Sequence, residues 1–185
     1  MFLDRLLLAE ADKKFLNNFV NMANMPHALL LDAAGVGMDR ELPLAMAQYL
    51  LCHSPQHGDY CGKCDSCKAV SLGVHPDLQI VRAEEKANKV IKIEQIKTVI
   101  AKLDYAANLS KIKICLINDV HFMNSEAANS LLKALEEPKG RSLFLFTTDR
   151  KERILPTILS RLIVWRLHPP EPSVIWQALA ELETA

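Results

Sequence analysis

The sequence has no surplus of charge: Lys+Arg and Asp+Glu both number 22, so the formal net charge is zero. A neutral chain gains little long-range attraction to nucleic acid or to an anionic membrane surface. Any DNA contact then has to be a local patch or be shared with partners, and a protein partner is the easier expectation. Nor is there an uninterrupted apolar run near the roughly 20 residues that a membrane span needs. Met1 to Leu8 is short and carries Asp4 and Arg5, which argues against a secretory signal. The chain reads as cytoplasmic, with no membrane partner. Internal repeats and low-complexity tracts are also missing. What remains, 185 residues of which 50% are hydrophobic, is enough for one sizeable core.

Apolar spacing places elements along most of the length. Phe15, Leu16, Phe19 and Val20 predict a helix over 12–23, with Asp12 as its cap. His27 to Leu31 suits a buried strand, Asp32 to Gly37 a loop, and Glu41 to Leu51 the helix that leaves it. Cys52 to Cys67 is polar and Cys-rich, an insertion rather than a core element. Further strands are expected over 78–82, 112–117, 143–147 and 162–166. Helices are expected over 66–72, 93–103, 125–137 and 173–183, and the charged 83–89 segment is expected to be an exposed turn. Pro138 and Gly140 terminate the 125–137 helix, and Pro169, Pro170 and Pro172 form a linker. Strands alternating with helices predict an α/β fold, a mainly parallel five-stranded sheet covered on both faces. Ligands of such sheets bind beyond the carboxyl ends of the strands, which directs attention to the loops after Leu31, Ile117 and Thr147.

The first of those loops has the frame of a phosphate-binding loop without its chemistry. A working loop reads G-x-x-x-x-G-K-[ST]: backbone N–H groups cradle phosphate, the Lys reaches the terminal phosphates and the hydroxyl binds Mg²⁺. Here the register is Asp32-Ala33-Ala34-Gly35-Val36-Gly37-Met38-Asp39. Gly37 is kept and Gly35 adds flexibility, but Asp32 replaces the first Gly, Met38 the Lys and Asp39 the hydroxyl. Two like charges about 4 Å apart at a surface-type dielectric repel by about 4 kcal/mol, so no useful ATP affinity is expected. Taken alone, the segment reads better as a plain Gly-bearing turn. A second signal points the same way. Active P-loop ATPases end a central strand in an acidic pair that holds Mg²⁺ and activates water. This chain has Asn118 and Asp119 after Ile114-Cys115-Leu116-Ile117, which are equally ordinary turn formers.

Cys52, Cys61, Cys64 and Cys67 form C-x8-C-x2-C-x2-C, with Gly62 permitting a tight knuckle. Four thiolates suit tetrahedral Zn²⁺ at roughly 2.3 Å per bond, and a closed four-ligand shell is structural rather than catalytic. An iron–sulfur reading would want a Cys where Ser71 stands. His53 and His57 are spare ligands beside a filled shell. The metal would staple an insertion that has almost no core of its own. Cys115, inside a strand, reads as a small buried apolar residue.

Together these segments resemble the bacterial clamp-loader subunits of DNA polymerase III, in particular their delta-prime branch. The resemblance runs over roughly residues 10 to 170. It is carried by His27-Ala28-Leu29-Leu30-Leu31, the inserted cysteines, Val74-His75-Pro76-Asp77-Leu78 and Ile91-Lys92-Ile93-Glu94-Gln95-Ile96. It continues through Ala128 to Pro138, Phe146-Thr147-Thr148-Asp149 and Leu155-Pro156-Thr157-Ile158-Leu159-Ser160-Arg161. The active ATPase subunits keep Lys and Thr in the loop, and their loss here points to delta-prime.

The resemblance implies an AAA+ core over 1–168 with the zinc insertion at 52–67, then a linker and the first part of a helical lid over 169–185. It implies membership of a hetero-oligomer with the ATPase subunits and the delta subunit. That assembly loads a sliding clamp onto primed DNA as a component of the DNA-directed DNA polymerase holoenzyme. The chain would not be an enzyme by itself. Structural Zn²⁺ and no ATP are its expected cofactors. Ser160-Arg161 matches the family's Ser-Arg-Cys motif, with Leu162 in place of Cys, and the motif's arginine enters a neighbour's ATP site. Read without the family, Arg161 is a surface charge capping a short helix. Thr147 and Thr148 match the family's sensor position and, beside an empty pocket, should bond locally. Glu136 and Glu137 read as a solvated helix end, and Arg150, Lys151 and Arg153 as a solvated loop in preference to contacts with phosphates or a neighbour. The family continues into a full lid and a collar, whereas this sequence stops at Ala185. Two other functions compete: an active clamp-loader-type ATPase with an atypical loop, and a zinc-dependent nucleic-acid-binding module. For the latter, Lys63 and Lys68 are opposed by Asp59 and Asp65.

Overall fold

The computed structural model of the chain describes residues 2–36, 41–84, 89–103 and 105–176. Its strands are β1 (Ala28–Asp32), β2 (Leu78–Val81), β3 (Lys113–Ile117), β4 (Ser142–Thr148) and β5 (Ile163–Arg166). They form one parallel sheet in the order β2-β3-β4-β1-β5. Its α-helices are α1 (Glu10–Val20), α2 (Glu41–Leu51), α3 (Asp65–Ser71), α4 (Ile93–Leu103), α5 (Ser125–Glu136) and α6 (Pro156–Leu159). Parallel neighbours need crossovers long enough for a helix, and the chain supplies them.

Both faces of the sheet are covered, so its central strands are apolar on both sides. Along β1, Leu29 and Leu31 pack toward Leu16 and Phe19 of α1, Met46 of α2 and Val70 of α3. Ala28 and Leu30 pack the other way, with Val99 of α4, Leu131 of α5 and Ile158 of α6. β4 divides likewise, Leu143 and Leu145 against Phe144 and Phe146. Fully burying a side chain of this size is worth about 1.5–3 kcal/mol, which fixes the register: a slip of one residue would exchange the two layers.

The predicted helices over 41–51 and 93–103 coincide with α2 and α4, and the other elements agree within a few residues. α1 is the exception in chemistry. It begins at Glu10 behind Ala9, which makes no side-chain cap bond. Asp12 is not a cap. It is fully buried, on the same stripe as Leu16 and Phe19. Its carboxylate accepts from Trp165 Nε1 at 2.9 Å, from the His168 backbone N–H at 2.8 Å, and lies 2.8 Å from His168 Nδ1. Phe15 stacks on Trp165 with ring centroids 3.7 Å apart. These contacts dock α1 on the sheet's β5 edge. Residues 172–176 are helical, as expected of the segment after the prolines, and 177–185 lie outside the described residues. Of the 83–89 turn, 85–88 are also outside them. No helix among the described residues is long and apolar enough to cross a membrane.

Candidate functional site

The parallel register gathers the loops that the sequence singled out. β1 and β4 pair Leu31 with Thr147 and Asp32 with Thr148, while β3 and β4 pair Ile117 with Phe146. Asp32, Asn118-Asp119 and Thr147-Thr148 therefore share the carboxyl edge of the sheet. Asp32 closes β1 and is 3% exposed. Its backbone carbonyl accepts from Leu167 N–H at 2.8 Å, and the following Ala33 N–H donates to Thr148 O at 2.8 Å. Its Oδ1 accepts from Ala34 N–H at 3.2 Å, and its Oδ2 lies 3.9 Å from Lys151 Nζ. The loop thus folds over a carboxylate of its own, which takes an N–H at the start of the loop and pairs with a lysine read from sequence as solvated. Gly35 follows at φ +84 with no heavy atom near a Cβ position, so the left-handed turn itself calls for glycine. Gly37, Met38 and Asp39 lie outside the described residues.

Behind this loop, Asn118 is buried and its N–H donates to Val81 O at 3.0 Å. Asp119 has φ 53, a left-handed conformation that Asp tolerates better than most residues, and its N–H donates to Thr147 Oγ1 at 3.0 Å. Thr148 Oγ1 accepts from Arg150 N–H at 3.0 Å and lies 3.0 Å from His121 Nδ1. Both threonines bond locally, as expected. The His121 ring is 3.4 Å from an Asp149 carboxylate oxygen, but burial outweighs that attraction and pushes its pKa down.

The four cysteines converge on the other side of α2. Their sulfurs all lie within 4.8 Å of one another, with Cys61 and Cys67 Sγ 4.0 Å apart. A tetrahedron of about 2.3 Å metal–sulfur bonds has edges of about 3.8 Å, so the donor set fits a four-coordinate, thiolate-preferring ion without rearrangement of the chain. Successive N–H···S bonds wrap the cluster: Cys61 N–H to Cys52 Sγ at 3.3 Å, Cys64 N–H to Cys61 Sγ and Cys67 N–H to Cys64 Sγ, each at 3.4 Å. Gly62, at φ +68, makes the knuckle between Cys61 and Cys64. The backbone N–H groups of Lys63 and Cys64 hold the Cys61 thiol down to about 6, whereas burial pushes Cys52 and Cys67 up. The cluster is compatible with a metal site, and holding all four sulfurs as thiolates at such spacing would call for a cation. The fifth, Cys115, is fully buried in β3, where desolvation raises its pKa.

The cluster is tied to the core by residues that spacing did not single out. Ser66 Oγ donates to Leu51 O at 2.6 Å and meets His75 Nε2 at 2.9 Å. His75 Nδ1 accepts from Asp77 N–H at 3.1 Å, so the Nε2 proton points at Ser66. Asp77 accepts from three backbone N–H groups, of Asn108, Leu109 and Ser110, at 2.7–2.9 Å. Burial opposes its charge, but those donors prevail and keep the carboxyl below its usual range. For His75 and Asp77 the signal in the sequence is the familial His75-Pro76-Asp77 run, and Ser66 has none beyond its place at the start of the 66–72 helix.

Arg161 stands apart from the loop cluster, just after α6. Nη1 donates to Thr157 O at 2.7 Å and to Ser160 Oγ at 3.1 Å, and Nε donates to Glu136 Oε1 at 3.0 Å. Nη2 bonds the same Glu136 oxygen. The arginine therefore does cap a short helix, and Glu136 at the end of α5 is its ionic partner rather than a purely solvated residue.

The family model described as DNA polymerase III, delta subunit, matches residues 9–171. The DNA polymerase III delta' subunit of Escherichia coli K12 is 37% identical over 153 residues, covering 81% of this chain and 45% of that protein. That of Pseudomonas aeruginosa is 38% identical over 142 residues, covering 76% and 43%. The chain thus spans less than half the length of these curated relatives. Among solved structures, a DNA polymerase III gamma subunit-related protein of Thermotoga maritima superposes with a TM-score of 0.65 at 24% identity, covering 92% of this chain and 53% of that one. That likeness establishes the AAA+-type fold.

Proposed function

The chain belongs to the DNA polymerase III delta-prime family, and on that premise we propose that it serves a clamp loader as a subunit that does not hydrolyse ATP. In this reading residues 1–168 are the AAA+ core and 169–185 open a lid. The subunit works in the cytoplasm, beside ATPase subunits and a delta subunit, while the assembly seats a sliding clamp on primed DNA. It supplies a rigid core and the Arg161 guanidinium, which enters the ATP site of its neighbour.

The observation that carries the reading is the loop after β1. Its sequence has Met38 and Asp39 where a cation and a hydroxyl are needed, and Asp32 where a glycine is needed. The buried Asp32 carboxylate, bonded to Ala34 N–H and paired with Lys151, supports it: an anion already occupies the start of the loop. Asn118 in place of a metal-binding carboxylate weakens the second half of the apparatus in the same direction. Arg161 suits the trans role because a guanidinium is permanently charged and planar and can take two phosphate oxygens at once. A finger of this kind raises phosphoryl transfer by roughly 10³–10⁵.

Zn²⁺ is the ion we assign to Cys52, Cys61, Cys64 and Cys67. It has no open coordination position there and serves folding alone.

The test of the finger is Arg161→Ala in a reconstituted loader. DNA-stimulated ATPase should fall by at least tenfold while assembly persists. An ATPase rate equal to that of the unmodified loader would remove the trans role.

A further inference from the structure

The Arg161 guanidinium is held on two sides within its own chain, and the two sides differ. Nη1 is bonded to Thr157 O and Ser160 Oγ, at 2.7 and 3.1 Å, which ties the side chain to the end of α6. The Nε–Nη2 edge is bonded to a single oxygen of Glu136. That edge is a fork able to donate to two oxygens of a phosphate side by side. Glu136 therefore stands where a phosphate would, while the α6 contacts leave the fork pointing away from its own helix.

The pair can be exchanged. The Glu136 side chain is 48% exposed and that of Arg161 33%, so incoming polyphosphate can reach the fork and the displaced carboxylate can turn into water. Its place in the fold also suits a releasable contact: Glu136 is the last residue of α5, before Pro138, and Arg161 follows the four-residue α6. An exposed ion pair contributes little to stability, so holding the protein together is a poor explanation for it.

We propose that Glu136 is a latch on Arg161: it holds the phosphate-binding edge against its own chain until the triphosphate of a neighbouring subunit displaces it. The inference rests on the trans role of Arg161 proposed above. The latch makes Glu136 a competitor of the nucleotide. Removing its charge should favour the nucleotide-engaged state, whereas removing a mere structural contact should favour neither state.

The experiment is a steady-state ATPase titration of a reconstituted clamp loader carrying this subunit as unmodified protein, Glu136→Gln, Arg161→Ala or the double variant. Gln is isosteric with Glu, and subunit incorporation is checked by gel filtration. The latch predicts that Glu136→Gln lowers the KM for ATP roughly two- to fivefold, the range an exposed ion pair spans, with kcat moving less. It also predicts that the shift disappears in the Arg161→Ala background. If Arg161→Ala impairs the ATPase but Glu136→Gln leaves KM unchanged or raises it, the latch is wrong and the finger stands. If the KM shift persists without Arg161, Glu136 acts through something else and the latch is wrong. If Arg161→Ala leaves the ATPase intact, the finger reading falls and the latch with it.

Discussion

Two loops flank α2, and they are held in opposite ways. The one before it, after β1, has part of the sequence frame of a phosphate loop, with Gly37 in place, but Asp32, Met38 and Asp39 stand where a glycine, a cation and a hydroxyl are needed. Its start is secured by the protein itself: the Asp32 carboxylate accepts from Ala34 N–H and pairs with Lys151, the Asp32 carbonyl accepts from Leu167 N–H, and Ala33 N–H donates to Thr148 O. The one after it, from Cys52 to Cys67, has almost no apolar interior yet carries a complete donor set, four sulfurs within 4.8 Å. On the reading proposed above, the first loop needs no ligand, because the sheet holds its start. A loop with no core persists because its ligands converge. The first should be indifferent to what is in solution, and the second should depend on it.

The largest effect that could break this contrast comes from metal removal. Chelation, or Cys64→Ser, should abolish protection from amide exchange across 52–67 while the β1, β3 and β4 amides stay protected. The binding free energy forgone is on the order of 10 kcal/mol for a structural zinc site. Simultaneous loss of protection in the sheet would mean that the two regions are not independent.

A smaller effect is expected at the brace that ties the cysteine cluster to the core. His75→Ala leaves Asp77 N–H without its buried acceptor and removes a partner of Ser66, at a cost of about 1–3 kcal/mol, measurable by urea denaturation of the metal-loaded protein. The same histidine gives the contrast a pH dependence. Burial lowers the His75 pKa, despite the opposing attraction of Asp77. The unfolded state therefore binds the proton more readily, and stability falls as pH drops below about 6.5, the ordinary histidine value. Protonation also removes the Nδ1 lone pair that Asp77 N–H uses. The His75→Ala protein should lose that part of the acid sensitivity.

The smallest effect is expected in the first loop. Asp32→Ala gives up one Asx-type bond and an ion pair to a half-exposed lysine, so it should shift stability by no more than about 1–2 kcal/mol. A loss much beyond that would make Asp32 a keystone of the fold rather than a local tie of the loop.

The strands and helices were legible because buried parallel strands read as apolar runs, and α4 and α5 repeat their apolar residues at helical spacing. The donor set was legible because thiolate spacing is local: three of the four ligands fall within seven residues. Asp12 was misread because an acidic residue near a helix start ordinarily caps. Its position four before Leu16 and seven before Phe19, on the buried stripe, was the signal that it faces inward. Its partners Trp165 and His168 are more than 150 residues away in sequence, beyond the reach of any local pattern. Glu136 with Arg161, 25 residues apart, and Asp32 with Lys151 were hidden for the same reason. A charge at the end of a strand or helix, or on a loop, carries no periodicity that names its partner, and only the tertiary fold brings such pairs together.

Whether the loop after β1 can hold a triphosphate is decided by titrating Mg-ATP into this chain calorimetrically, with its metal content verified. No saturable binding is expected up to millimolar nucleotide. A one-to-one isotherm with micromolar affinity, abolished by a bulky residue at Gly37, would contradict that expectation and make the chain an ordinary nucleotide-binding subunit.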